Sequence, residues 1–180
     1  MAVARHGGYA PCCMAEIVSG MSDPFLAAAH DHRRCVDEAV AEAVRLCEGR
    51  GVRLTALRRR VLELVWQGHA PVGAYRVMEL LGAERGTVAP PTVYRALDFL
   101  VQHGLVHRIE SLNAFIGCKA PAASHRATFL ICRACREVGE LHDAELARTL
   151  ERHAAAAGFS VDEARVEIIG TCARCRRIAA

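Results

Sequence analysis

Lysine is nearly absent from this 180-residue chain: Lys119 is the sole one among 23 basic residues. Genome composition alone can produce such an arginine bias, so it is not by itself a sign of nucleic-acid chemistry. Aromatic residues make up only 5% of the chain, and the single tryptophan, Trp66, reads as a core residue. No uninterrupted apolar run reaches 18 residues, which excludes a membrane-spanning helix. There is no HExxH, no nucleophile–His–acid order and no glycine-rich phosphate loop, so the usual signatures of a zinc hydrolase, a triad enzyme or a nucleotide-binding enzyme are missing. The N-terminal stretch MAVARHGGYAPCCMAEIVSG lacks the sustained apolar core of a secretory signal. The setting this implies is cytoplasmic, where thiols stay reduced.

What is present is enough for a folded protein. Hydrophobic residues are 52% and charged residues 24%, which is not the composition of a disordered chain. The length suits one or two small domains. The formal net charge of +3 is unevenly spread. Residues 1–49 carry four arginines against seven acids, while residues 50–118 carry nine against five. The middle of the chain is therefore where a polyanion would bind.

Periodicity divides the chain into two parts. Residues 1–22 read as a flexible N-terminal extension. Helical spacing runs from Asp23 to Cys47, again after Thr55 to Gln67, from Pro71 through Leu81, and from Thr92 to His103, where Gly104 stops it. Leu105–Ile109 and Ala114–Cys118 read as a strand pair around a turn at Ser111–Asn113. Helices followed by a hairpin predict a winged helix-turn-helix over residues 23–118. Residues 119–126 read as a hinge. Residues 127–180 read as a small α/β domain, with strands at Ala127–Ile131, Val138–Leu141 and Glu163–Ile169 and a helix at His142–Ala157.

Nine cysteines are an odd number, which argues against a fully paired disulfide scaffold. Four of them form two Cys-x-x-Cys pairs, Cys132/Cys135 and Cys172/Cys175, separated by 36 residues. Two such knuckles supply four thiolates to one tetrahedral zinc, and a fully thiolate-bound zinc stabilises rather than catalyses. A second, mixed set lies around the predicted hinge: His107, Cys118, His125 and Glu140. Two imidazoles, a thiolate and a carboxylate make a chemically plausible zinc site, and one joining two domains would act as a switch. His30, His32, His142 and Asp143 are other possible ligands.

The fourth helix opens with Ala-Pro-Pro-Thr-Val-Tyr-Arg, residues 89–95. Prolines suit a helix start, and the free N–H groups of a first turn can meet phosphate. Tyr94 and Arg95 are placed for base or phosphate contacts, Thr92 for capping, and Arg58, Arg59 and Arg60 for the DNA backbone.

These motifs together resemble the ferric uptake regulator family, and within it the zinc branch. The resemblance runs from Leu54 to Cys175. It is carried by Leu54-Thr55 with Arg58, by Pro71 and Tyr75, by PPTVYRALDFLVQHGLVHRIESLNAFIGC from Pro90 to Cys118, and by HRATFLICRACREVGEL. It implies a homodimeric, zinc-responsive repressor that binds AT-rich inverted repeats in promoters of zinc uptake genes when zinc is replete. It implies two zinc ions per chain: a structural one on Cys132, Cys135, Cys172 and Cys175, and a regulatory one on His107, Cys118, His125 and Glu140. It gives Tyr94 and Arg95 to DNA recognition, and makes residues 127–180 a dimerisation domain whose final strand pairs with its mate. The expected partners are double-stranded operator DNA and a second copy of the chain, with no membrane, no small-molecule substrate other than the metal ion, and no enzymatic activity. Iron-sensing relatives carry a His-rich run before the first Cys pair, where this chain has Ser124-His125-Arg126-Ala127. A family regulator responding to iron, manganese or peroxide is the alternative. A zinc-stapled interaction module without regulation is the blandest one.

Overall fold

The computed structural model describes Phe25 and residues 32–68, 70–122, 127–141, 143–162 and 164–179. The predicted N-terminal extension, with Cys12 and Cys13, lies outside the described residues, as do His30, His125 and His142.

Two structural layers are strung along the chain. The first holds helices α1 (His32–Gly49), α2 (Ala56–Trp66), α3 (Ala74–Arg85) and α4 (Pro90–Gln102) with strands β1 (Val72–Gly73), β2 (Val106–Ile109) and β3 (Ala114–Gly117). The second holds β4 (Thr128–Cys132), β5 (Val138–Leu141), helix α5 (Ala144–Ala156), β6 (Val166–Gly170) and α6 (Ala173–Ala179). This is a winged helix-turn-helix followed by a small α/β unit, the expected fold class.

In α1, Cys35, Val40, Ala43 and Cys47 fall on one face and are all buried, which explains why this stretch packs as a helix. Thr55 caps α2, its hydroxyl accepting from the Arg58 N–H at 3.4 Å. Val61, Leu62, Val65 and Trp66 of α2 meet Val77 and Leu81 of α3 and Val93, Leu97 and Leu100 of α4 in one core. Gly104 (φ 68) ends α4, with the Leu105 N–H returning to the Leu100 carbonyl at 2.9 Å.

Several boundaries differ from the sequence expectation. Pro71 does not start a helix. Val72 and Gly73 instead pair antiparallel with Phe115 and Ala114, so the wing is a three-stranded sheet ordered β1-β3-β2. The fourth helix begins at Pro90, two residues earlier than expected, because Pro90 and Pro91 take its first positions after Ala89. Thr92 is therefore inside the first turn and does not cap. The second Cys pair opens a further short helix, α6, which the sequence pattern did not reveal.

The second sheet is ordered β5-β4-β6, with β4 antiparallel to β5 and parallel to β6. It does not stand apart from the wing. Ile109 is buried with Ala127, Phe129, Ile131 and Val138, and Leu112 and Ile116 pack against the same cluster. The other edge of β6 carries no strand among the described residues. Ile168 (45% exposed), Ile169 (52%), Leu150 and Phe159 are large apolar side chains left uncovered in this half, and α5 has no buried residue.

Candidate metal centres and nucleic-acid interface

The strand ends of the second sheet build the first centre. β4 finishes at Cys132, and the chain turns back through Arg136 at φ 60, where the Arg136 N–H bonds the Cys132 carbonyl at 2.8 Å. β6 finishes at Gly170, whose carbonyl accepts from the Arg133 N–H at 2.9 Å, so the two knuckles are tied side by side. Arg174 bridges to Glu137 at 2.7 Å across them.

The ligand atoms of Cys132, Cys135, Cys172 and Cys175 all lie within 4.8 Å of one another. Zinc–sulfur bonds of about 2.3 Å in a tetrahedron require sulfur atoms about 3.8 Å apart. The Cys135 and Cys172 sulfurs are separated by 3.9 Å, so the donor set fits a single zinc. Backbone N–H groups prepare it for charge. The Cys172 N–H donates to the Cys132 sulfur and the Cys175 N–H to the Cys172 sulfur, each at 3.4 Å. N–H groups of Cys135 and then Cys172 lower the Cys132 thiol to about 6. The Cys175 thiol is pushed up to about 12, first by its contact with Cys172 and then by burial. Four thiols this close cannot all ionise without a cation among them.

The mixed set draws on two sheets. His107 on β2 and Glu140 on β5 approach each other, Nε2 to Oε1, at 3.5 Å. The His107 ring meets the edge of Phe129 on β4, with centroids 5.1 Å apart. Cys118 follows β3 and is 3% exposed, its N–H bonded to the Leu105 carbonyl at 3.1 Å. Burial, and next the Glu140 charge, push its thiol up to about 12. Among the described residues, the four thiols are the single group of three or more donors close enough to share one ion. His107, Cys118 and Glu140 do not form a second such group, and His125 lies outside the described residues. Among the described residues, one metal cluster thus stands where two were expected. Asp143, another possible ligand, is occupied as the cap of α5, accepting from Glu145 N–H at 2.8 Å and Leu146 N–H at 3.1 Å.

On α4, Val93, Ala96, Leu97 and Leu100 face the core, which leaves Thr92, Tyr94 (40% exposed) and Arg95 outward near the helix start. The three arginines of α2 have different fates. Arg60 is held between Glu63, at 2.7 Å, and Glu84 of α3, at 2.8 Å, so its charge is matched within the fold. Arg58 lies 3.6 Å over the Phe99 ring and donates to the Arg53 carbonyl at 2.7 Å. Arg59 is exposed, bound to Glu63 at 3.2 Å. Sequence analysis places Tyr75 in the family resemblance and assigns it no role. It is 73% exposed at the first turn of α3, and the signal that could have found it is its place on the face opposite Ala74, Val77 and Leu81.

The pattern of the ferric uptake regulator family matches residues 49–169. The zinc uptake regulation protein of Escherichia coli (strain K12) is 35% identical over 144 residues, covering 79% of this chain and 84% of that protein. Among solved structures, a zinc uptake regulator complexed with zinc and DNA superimposes with a TM-score of 0.76 at 34% identity, over 80% of this chain and 97% of the other. The holo form of XcZur gives a TM-score of 0.72 at 42% identity, over 78% of this chain and 99% of the other.

Proposed function

Because the chain belongs to the ferric uptake regulator family, we propose that it is a zinc-responsive transcriptional repressor of the zinc branch. It binds AT-rich inverted repeats in promoters of zinc uptake genes when zinc is replete. The observation that carries the zinc-responsive part is the meeting of His107 and Glu140 at 3.5 Å beside the buried Cys118. Two of these groups belong to the wing and one to the second sheet, so a metal held there would favour the arrangement that brings the wing onto that sheet. His125 is the fourth ligand in this reading. Zinc is the chemistry such a set suits: a borderline ion that accepts nitrogen, sulfur and oxygen together. The four-thiol cluster is the permanent structural site.

For DNA, Arg95 and Tyr94 enter the major groove from the start of α4, with Thr92 and the first-turn N–H groups on phosphate. Tyr75 and Arg59 extend the contact to the backbone. Arg60 acts through Glu63 and Glu84 and supports α2 against α3. Arg58 supports α4 through Phe99. Residues 127–180 form the dimerisation domain, the open edge of β6 and the apolar side chains of Ile168, Ile169, Leu150 and Phe159 meeting their equivalents in a second copy. A two-fold dimer matches an inverted-repeat operator.

The test is metal content per chain, read beside binding to a palindromic AT-rich duplex as free zinc is buffered upward. Two zincs per chain, with DNA binding rising as the second is taken up, support the reading. A response to iron, manganese or peroxide instead of zinc moves the chain to another branch of the family. One zinc, with DNA binding indifferent to all of these, removes the sensing role.

A further inference from the structure

Glu167 pairs with Phe129 across β6 and β4, yet its carboxylate reaches beyond its own sheet. It accepts from the Glu110 N–H at 2.7 Å through one oxygen and from the Ser111 N–H at 3.0 Å through the other. These are the first two N–H groups of the short 3-10 turn at Glu110–Leu112, donors that a helix start leaves without internal partners. One side chain thus grips two consecutive wing amides from the sheet that carries the four-thiol cluster. Hydrogen bonds of this kind, to a charged acceptor, are stronger than neutral ones.

The surroundings favour a fixed contact. Ile109, just before the turn, is fully buried with Phe129, the residue paired with Glu167. Burial by itself would raise the Glu167 carboxyl, but the Ser111 hydroxyl and N–H with the Glu110 N–H outweigh it and hold it below the ordinary carboxylate value. At neutral pH the group therefore grips as an anion. The turn lies three residues after His107, and β6 leads directly into Cys172.

We propose that Glu167 is a positioning residue for DNA binding: its carboxylate clamps the wing turn at Glu110–Ser111 onto β6 and so sets the angle of the recognition helix to the second sheet. The inference rests on the zinc-dependent DNA-binding reading above. His107–Glu140 and Glu167–Glu110/Ser111 hold the wing at two separate points. With the second point lost, fewer molecules occupy the DNA-competent arrangement, and apparent affinity drops by that fraction.

The experiment uses the full chain and Glu167→Gln, which keeps the shape but removes the charge. Hydrogen exchange over Glu110 and Ser111 is measured without DNA, and affinity for a palindromic AT-rich duplex at saturating zinc is measured across salt concentrations. The clamp predicts faster exchange at those amides and about tenfold weaker DNA binding, the loss expected for about one charge-assisted hydrogen bond. The salt slope is unchanged, since no phosphate contact is removed. Wild-type exchange, or wild-type affinity, overturns the proposal. Where Glu167→Gln loses the four-thiol zinc, Glu167→Asp carries the test: intermediate exchange and affinity support the clamp, and a wild-type value of either overturns it. A wild-type chain that binds the duplex regardless of zinc sinks the repressor reading instead, and the amide exchange still judges the clamp.

Discussion

Gly117 on β3 lies against the indole of Trp66 on α2, so close that a β-carbon at Gly117 would sit 2.7 Å from Cδ2 and nearer still to Cε2 and Nε1. The next residue is Cys118, the buried thiol beside Glu140. The single tryptophan is therefore packed one residue from a proposed zinc ligand, and its fluorescence is a native reporter of that corner.

Gly117→Ala should destabilise the winged-helix half by about 1–3 kcal/mol, the usual penalty for forcing a methyl into a filled core. Urea unfolding followed by far-UV circular dichroism measures it. Trp66→Phe in the same background should recover part of the loss, because the smaller ring vacates the overlapping space. If Gly117→Ala unfolds at the wild-type midpoint, the contact is looser than described.

Removing the structural ion should act on the second sheet first. The knuckles join the ends of β4 and β6 through the Arg133–Gly170 hydrogen bond and the four sulfurs. Cys132→Ser or Cys172→Ser should remove one zinc per chain and lower the thermal midpoint. Hydrogen exchange should rise across Thr128–Cys132 and Val166–Gly170 before it rises in α2 or α4. Metal analysis with peptide-resolved exchange checks this order, and simultaneous loss in both halves would contradict it.

Arg95 and Arg60 separate recognition from support. Arg95→Ala should keep zinc content and thermal stability while weakening operator binding, and the slope of log affinity against log salt should fall by about one if the guanidinium meets a phosphate. Arg60→Ala should leave that slope alone and lower the thermal midpoint, since its partners are Glu63 and Glu84 within the fold. A reduced salt slope in Arg60→Ala would return that residue to the DNA surface.

What the sequence made visible was local. The Cys-x-x-Cys pairs declare themselves over four residues each, and the buried stripes of α1, α2 and α4 recur within single helices. What it hid depends on partners distant in the chain. Val72–Gly73 is a strand only because β3 offers it an edge more than 40 residues later. Ala173–Ala179 carries no apolar stripe, and its start is tied to the knuckle by the Arg176 N–H on the Cys172 carbonyl at 3.0 Å. Tyr75 looks apolar by composition and is exposed by geometry. Glu167 reads as an ordinary acid on a strand until the wing turn arrives beside it. The mixed ligand set is intermediate: the sequence offered four residues around the hinge, the resemblance gave them the regulatory role, and the fold brings His107 against Glu140 and sets Cys118 within reach of the Glu140 charge.

The junction residues offer the sharpest test of sensing. His107 and Glu140 come from different sheets, and the apolar cluster of Ile109, Phe129, Ile131 and Val138 beside them includes neither, so removing one polar group leaves that cluster in place. His107→Ala and Cys118→Ser should therefore give folded chains that keep the four-thiol zinc. Both should lose the second zinc and bind operator DNA weakly at zinc levels that saturate the wild type. Asp143→Ala is the matched control, because that carboxylate caps α5 and its loss should cost about 1 kcal/mol of stability without altering the zinc response. Zinc titrations followed by Trp66 emission and by DNA binding read both effects in the same sample. If Cys118→Ser responds to zinc as the wild type does, the thiol beside Glu140 is a core residue and the sensing site lies elsewhere.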